Sequence, residues 1–175
     1  NILFKQACLV EEAGGHFGIM YDDFRFPMSP DDVRDFGTAR EADMYLLGKL
    51  DKALKAKYPK ARLVFCPPFY WGPSGYSYGE SGEKYLAAIG ERLAPDVGIF
   101  WTGPRVKSGV VTKEQVKWIT DLIKRKPMFF QNTKGTTHIH YYHFVTDPIT
   151  AWPEWHYAGF FDDVESYALN VGMPG

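Results

Sequence analysis

Residues 18–24 read Gly-Ile-Met-Tyr-Asp-Asp-Phe, an apolar run that delivers two adjacent carboxylates, Asp22 and Asp23. Neighbouring acids suit general acid–base work, because each disfavours ionisation of the other and one can stay protonated near neutral pH. On a regular strand, consecutive side chains leave on opposite faces, so both acids serve one site only if the strand ends at this point. Where strand gives way to loop the pleat is abandoned, and both carboxyls can turn into one pocket walled by Tyr21, Phe24, Tyr70 and Trp101. The dipeptide also suits a loop or a helix cap. A second pair, Asp162-Asp163, precedes Val164-Glu165 and reads as the start of a short helix, where acids complement the dipole and no chemistry is expected.

A different chemistry is offered by His138, His140 and His143. On a strand the first two share a face and, with a carboxylate, would bind zinc. The intervening Ile139, Tyr141, Tyr142 and Phe144 instead suggest an aromatic loop or strand edge, and no metal is assigned. Cys8 and Cys66 stand outside any paired or metal-like spacing and read as packing residues.

The elements that must position these groups alternate. Apolar residues between Ile2 and Ala13 fall near helical spacing and stop at Gly14-Gly15. His16–Tyr21 reads as a strand buried on both faces, and Ser29-Pro30-Asp31-Asp32 as a helix start leading into a long mixed segment that ends near Tyr58-Pro59. Strands follow at 62–66, 97–101, 128–131 and 167–170. The intervening helices are expected at 80–93, at 112–126 behind a Thr112–Gln115 capping box, and weakly at 162–165. Strands alternating with helices imply parallel βα units in one domain, 1–175. Each strand ends on residues suited to chemistry: Asp22-Asp23, the Pro67–Gly72 run, Trp101-Thr102-Gly103, Asn132 and Asn170. That layout fits a (β/α)8 barrel, whose sites sit at the C-terminal ends of its strands; an open doubly wound sheet is the alternative. Only five strands are read, so the chain is expected to cover part of a barrel.

Composition bounds the partners. The 175 residues are 45% hydrophobic and 17% aromatic, a globular balance. Twenty basic against 21 acidic residues leave a net charge of -1 without a basic stripe, so nucleic acid is a poor partner. No apolar run is long enough to span a membrane. The chain opens on Asn1 inside a helical pattern, as an excerpt would, and its compartment and oligomeric state stay open.

Four motifs in order, MYDDF, FCPPFYWG, IFWTGPRVKS and the strand ending at Asn132, resemble the family-84 glycoside hydrolases, the β-N-acetylglucosaminidases that include O-GlcNAcases. Leu169-Asn170-Val171-Gly172 is a weaker fifth match. The resemblance spans nearly the whole chain and implies barrel strands four to eight. It implies a retaining glycosidase in which the sugar's own 2-acetamido group attacks the anomeric carbon to form an oxazoline, without a cofactor or metal. Asp22 would hold the acetamide N–H, and Asp23 would be general acid and then general base. Tyr70 and Asn132 would bind near the acetamide. Trp101 and Thr102 would line the pocket for its methyl, unless Trp101 is core, and Asn170 would contact sugar hydroxyls. The substrate class would be an N-acetylglucosaminyl glycoside or glycoprotein.

Two positions depart from the family pattern. Phe130 stands where the family has Trp, keeping an aromatic wall without the indole donor. Thr137 stands in place of an Asp that grips outer hydroxyls, a role His138 or Asp147 could take. A rival reading is therefore a carbohydrate-binding barrel that has lost turnover, with Trp71, Tyr76, Tyr78, Trp152, Trp155 and Tyr157 to stack on sugars; a metal-dependent hydrolase using Asp22 or Asp23 as ligand is the enzymatic rival.

Overall fold

A computed structural model of the chain describes residues 2–23, 27–73, 82–106, 108, 111–132 and 161–169. Helix α1 (Ile2–Glu12) precedes β1 (Gly18–Met20), and α2 (Pro30–Phe36) and α3 (Ala39–Lys57) lead to β2 (Val64–Cys66). Then come α4 (Gly82–Arg92), β3 (Gly98–Trp101), α5 (Lys113–Ile123), β4 (Met128–Gln131), a 3-10 turn at Phe161–Asp163, and β5 (Ser166–Leu169). All neighbouring strands pair in parallel in the order β1-β2-β3-β4-β5. A sheet whose order follows the chain without reversal has no topological switch point of the doubly wound kind.

The pairing register assigns the two faces. Ile19 lies beside Phe65, Phe65 beside Ile99, and Trp101 beside Phe129, so these residues share one side. All are buried and cluster with Ala7, Leu47, Leu54, Leu86, Ile89, Val116, Ile119 and Ile123 of the helices. The opposite side carries Met20 beside Cys66, Val64 beside Gly98, and Phe130 beside Ala168. It is the more open side, with Met20 48% exposed. The expectation that the first strand is buried on both faces is thus corrected: among the described residues, helices cover its Ile19 side only.

Local chemistry explains the helix limits. The long segment after Ser29 is two helices rather than one. Ser29 accepts from the Asp32 amide at 3.1 Å to start α2. Gly37, at φ 74°, donates to Val33 to end it, and Thr38 caps α3 through the Glu41 amide at 3.3 Å. The expected capping box is present in both directions, Gln115 N–H to Thr112 at 3.4 Å and Thr112 N–H to Gln115 at 2.9 Å. Helix α5 stops at Ile123, short of the expected 126, because Lys124 turns left-handed at φ 55°. The second acidic pair lies in the 3-10 turn. Among the described residues no helix is long and apolar enough to cross a membrane.

Arg125, just after that turn, closes the frame. Its guanidinium donates to the carbonyls of Ile123 (2.8 Å), Ile89 (3.1 Å), Leu93 (3.1 Å) and Val97 (3.2 Å), and also to that of Ala94. Ile89 in the last turn of α4 also accepts from the Leu93 amide, and Ala94 from the Val97 amide, so one planar fork adds a second donor to these two and ties the helix end to the connection into β3. Arg125→Met keeps much of the stem but removes the charged fork from all five carbonyls, of which Ile89 and Ala94 keep a backbone donor, and is expected to cost about 1–3 kcal/mol in urea unfolding. A loss below about 0.5 kcal/mol would show that water replaces the fork.

Candidate active site

The chain resolves its pair of adjacent acids by breaking the strand. Tyr21 still donates its amide to Cys66 in β2 at 2.9 Å, but Asp22 turns to φ 48°, and Asp22-Asp23 form a turn. A left-handed residue with a Cβ costs about 1–2 kcal/mol and persists where its surroundings dictate it. The break ends the alternation, so the two carboxyls need not point apart.

Tyr70 meets them from the loop after β2. Its ring is buried and its hydroxyl donates to Asp23 Oδ1 at 3.0 Å. Asp22 is half-buried while Asp23 is exposed. Burial first, then the neighbouring charge of Asp23, raises the Asp22 carboxyl above its ordinary range, and the Tyr70 hydrogen bond opposes this. Burial and the two carboxylates together raise the Tyr70 phenol far above its usual value, so it remains a donor. Cys66 lies beneath the pair: burial, followed by the Asp22 charge, pushes its thiol up to about 12, although the Asp22 backbone hydrogen bond works the other way. The thiol is therefore not a nucleophile at neutral pH.

The loops after β2 and β3 hold Tyr70 in place. Thr102 donates its amide to the Tyr70 carbonyl at 2.8 Å, and Gly72 donates to the Gly103 carbonyl at 3.0 Å. Gly72 sits at φ 153° against Trp118, where an added Cβ would lie 2.5 Å from the indole. Gly103, at φ 97°, faces Ser108 at the same clearance. The Thr102 hydroxyl, expected to line a pocket, instead donates to the Arg105 carbonyl at 2.9 Å, and Ser108 bonds the backbone of Arg105. Thr102, Arg105 and Ser108 are thus tied to one another and, through Thr102, to Tyr70.

Of the expected site residues, the structure brings Asp22, Asp23 and Tyr70 together, with Thr102 supporting Tyr70 through the backbone. Trp101 lies on the helix-packed side, fully buried and edge-on to Phe129 at 6.0 Å, so the core alternative is the one its register supports. Tyr21 likewise turns to the core side, edge-on to Phe65 at 5.3 Å. Phe130 is half-buried on the open side, its ring 5.3 Å from Phe100. Asn132 follows β4 directly. Asn170, Phe24, Thr137, Asp147, the three histidines and the aromatic residues 76, 78, 152, 155 and 157 lie outside the described residues. Among the described residues no group of three or more His, Cys, Asp or Glu is arranged to hold a metal. Cys66 reads as a packing residue in the sequence; its position at the end of an apolar strand gives no sign that Asp22 lies against it.

A family model for beta-N-acetylglucosaminidase matches residues 2–141. The Protein O-GlcNAcases of Rattus norvegicus and Mus musculus are each 30% identical over 116 residues, 66% of this chain and 12% of their own length. A solved structure of a Thermobaculum terrenum O-GlcNAc hydrolase mutant superposes with a TM-score of 0.71 at 22% identity, covering 95% of this chain and 34% of that one. The chain therefore spans about an eighth of the length of these curated relatives. With an acid pair broken out of β1, a phenol presented from the loop after β2 and a family match across both, this chain belongs to the beta-N-acetylglucosaminidase family of glycoside hydrolases.

Proposed function

We propose that residues 1–175 form one domain, part of a (β/α)8 barrel that hydrolyses terminal β-linked N-acetylglucosamine with retention, using the substrate's acetamide as nucleophile. The five strands would be the fourth to eighth of the barrel. Their sequential parallel order and the shared fold of the O-GlcNAc hydrolase support this. By analogy with the rodent relatives, the glycan would be O-linked N-acetylglucosamine on protein.

The observation that carries the reading is the difference in surroundings between two acids braced by one phenol. Asp22, half-enclosed and beside Tyr70, suits the acetamide: its carboxylate accepts the N–H and makes the carbonyl oxygen a better nucleophile toward the anomeric carbon. The C1–O bond to the leaving group breaks as the oxazoline ring closes. Asp23, exposed, can reach the departing oxygen and hand it a proton; its carboxylate then takes a proton from the water that reopens the ring at C1. Asn132, three strand spacings or about 14 Å along the sheet from β1, would approach the sugar from its other side, and Phe130 would supply an apolar wall. Asn170 would reach the ring hydroxyls.

On an aryl β-N-acetylglucosaminide, Asp22→Asn and Asp23→Ala are each expected to lower kcat/KM by about 10²–10⁴. Wild-type protein that folds but gives no turnover would defeat the proposal.

The pH profile makes a second demand. Asp22 must be ionised to accept the acetamide N–H, so kcat/KM should rise with pH through its raised pKa, placing the acidic limb above the ordinary 3.8. Because the Tyr70 hydrogen bond lowers Asp22, Tyr70→Phe should move that limb to higher pH. A limb that stays put or moves down would remove Asp22 from the ionisation that governs the reaction.

A further inference from the structure

Behind the reactive turn, on the helix-packed side of the sheet, a carboxylate lies where an apolar residue would be expected. Asp43 of α3 precedes Met44 and stands four residues before Leu47, both buried in the core. A carboxylate on that side is costly unless it is hydrogen-bonded. Tyr85 of α4, 1% exposed, donates its hydroxyl to Asp43 Oδ2 at 2.7 Å. Tyr21 is hydrogen-bonded to the same carboxylate, and burial followed by the Asp43 charge raises its phenol well above the usual value. The Tyr21 phenol therefore remains a donor, and the two hydrogen bonds account for the polar group.

The position of Tyr21 makes this more than a satisfied acid. Tyr21 immediately precedes Asp22 and is held at three points: amide to Cys66, ring edge to Phe65, hydroxyl to Asp43. The next residue enters the left-handed region at φ 48°, a conformation that survives only if what precedes it cannot rotate to relieve it. A Phe at this position would keep the ring contact and lose the point of fixation farthest from the backbone.

We propose that Asp43 is a positioning residue for the Asp22–Asp23 pair, acting through the Tyr21 hydroxyl to hold the peptide that swings both carboxyls to the open side of the sheet. The role rests on the catalytic reading above. Tyr85 has a different part: it occupies a remaining lone pair of Asp43. Helices α3 and α4 are also joined by the Arg92–Glu41 ion pair, so their docking does not depend on Tyr85 alone.

The test compares Asp43→Asn, Tyr21→Phe, their double variant and Tyr85→Phe in the full chain, with kinetics on an aryl β-N-acetylglucosaminide. Asp43→Asn and Tyr21→Phe should each lower kcat by about tenfold, with KM within about twofold. The double variant should lose no more than the worse single, because both cut one path. Tyr85→Phe should lower the melting temperature yet leave kcat within about twofold, the split that a merely structural network would not produce. Equal kcat losses in all three single variants, additive losses in the double, or no loss in Tyr21→Phe would overturn the proposal.

A second readout needs no turnover. Labelling of Cys66 by a neutral disulfide reagent, resolved from Cys8 by mass spectrometry, should accelerate at least about tenfold in Tyr21→Phe and Asp43→Asn but not in Tyr85→Phe, because the turn covering the thiol opens. An inactive wild type with this labelling pattern would reject the glycosidase reading and keep Asp43 as the brace of the turn. Unchanged labelling in Tyr21→Phe would reject the brace whatever the activity.

Discussion

The hydrogen-bond ladder that joins β1, β2 and β3 does not stop where the strands stop, and the candidate site hangs on that continuation. Tyr21 still bonds Cys66 after β1 has ended, Thr102 still bonds Tyr70 after β3 has ended, and Gly72 returns the bond to Gly103. These bonds hold Tyr21, which precedes Asp22, and the loop that carries Tyr70. Slipping either pairing by one residue would exchange the two faces, carrying Cys66 to the helices and Phe65 to the open side. The reactive turn is thus a product of register as much as of its own residues.

That dependence explains why the segment tolerates backbone that is locally unfavourable. Asp22 is left-handed with a Cβ, Gly72 and Gly103 occupy positive φ against Trp118 and Ser108, and Thr102 and Ser108 spend their hydroxyls on a loop carbonyl. None of these choices helps the sheet itself. All lie at the C-terminal ends of β1, β2 and β3, where strain and polar burial are expected if a site is to be held open against relaxation. At the other end of the strands the chemistry is ordinary and stabilising: Arg125 closes the carbonyls of α4, Lys55 bridges Asp51 and Asp96 at 2.9 and 2.6 Å, and Arg62 pairs with Glu165.

Sequence alone made legible whatever depends on neighbours along the chain. Thr112 and Gln115 carry their own capping box, Gly14-Gly15 ends α1, and Met128–Gln131 is a strand because it is short, apolar and bounded. The alternation of elements was enough for parallel βα units, and the order of Asp22-Asp23, Tyr70 and Asn132 along the chain was enough to suggest a site. Features set by distant residues were hidden. Ser29 to Tyr58 reads as one segment because helical spacing continues across Gly37, and only the pairing of a left-handed stop with a Thr38 cap divides it. Trp101 faces the core because Phe129 is its register partner, a relation that no local pattern contains. Asp43 looks like one more acid on the surface of a charged helix until Tyr21 and Tyr85 arrive from elsewhere in the chain.

Two adjacent acids of one sequence type thus come to differ through geometry alone. The turn at Asp22 leaves that carboxyl half-enclosed beside a phenol and above a thiol, while Asp23, one residue on, reaches solvent. Enclosure makes charge costly at Asp22, and Tyr70 returns part of that cost in a hydrogen bond, so this carboxyl is tuned by a partner that a strand away holds fixed. In the proposed mechanism the group that grips the substrate amide would gain from such fixation, whereas the group that passes a proton to the leaving oxygen and later takes one from water would gain from access. A regular strand would have given the pair opposite faces; a flexible loop would have given them equal freedom. The single left-handed residue, locked from behind by Tyr21 and from the side by Tyr70, gives them one site and unequal surroundings, which is the condition under which two identical side chains can take two roles.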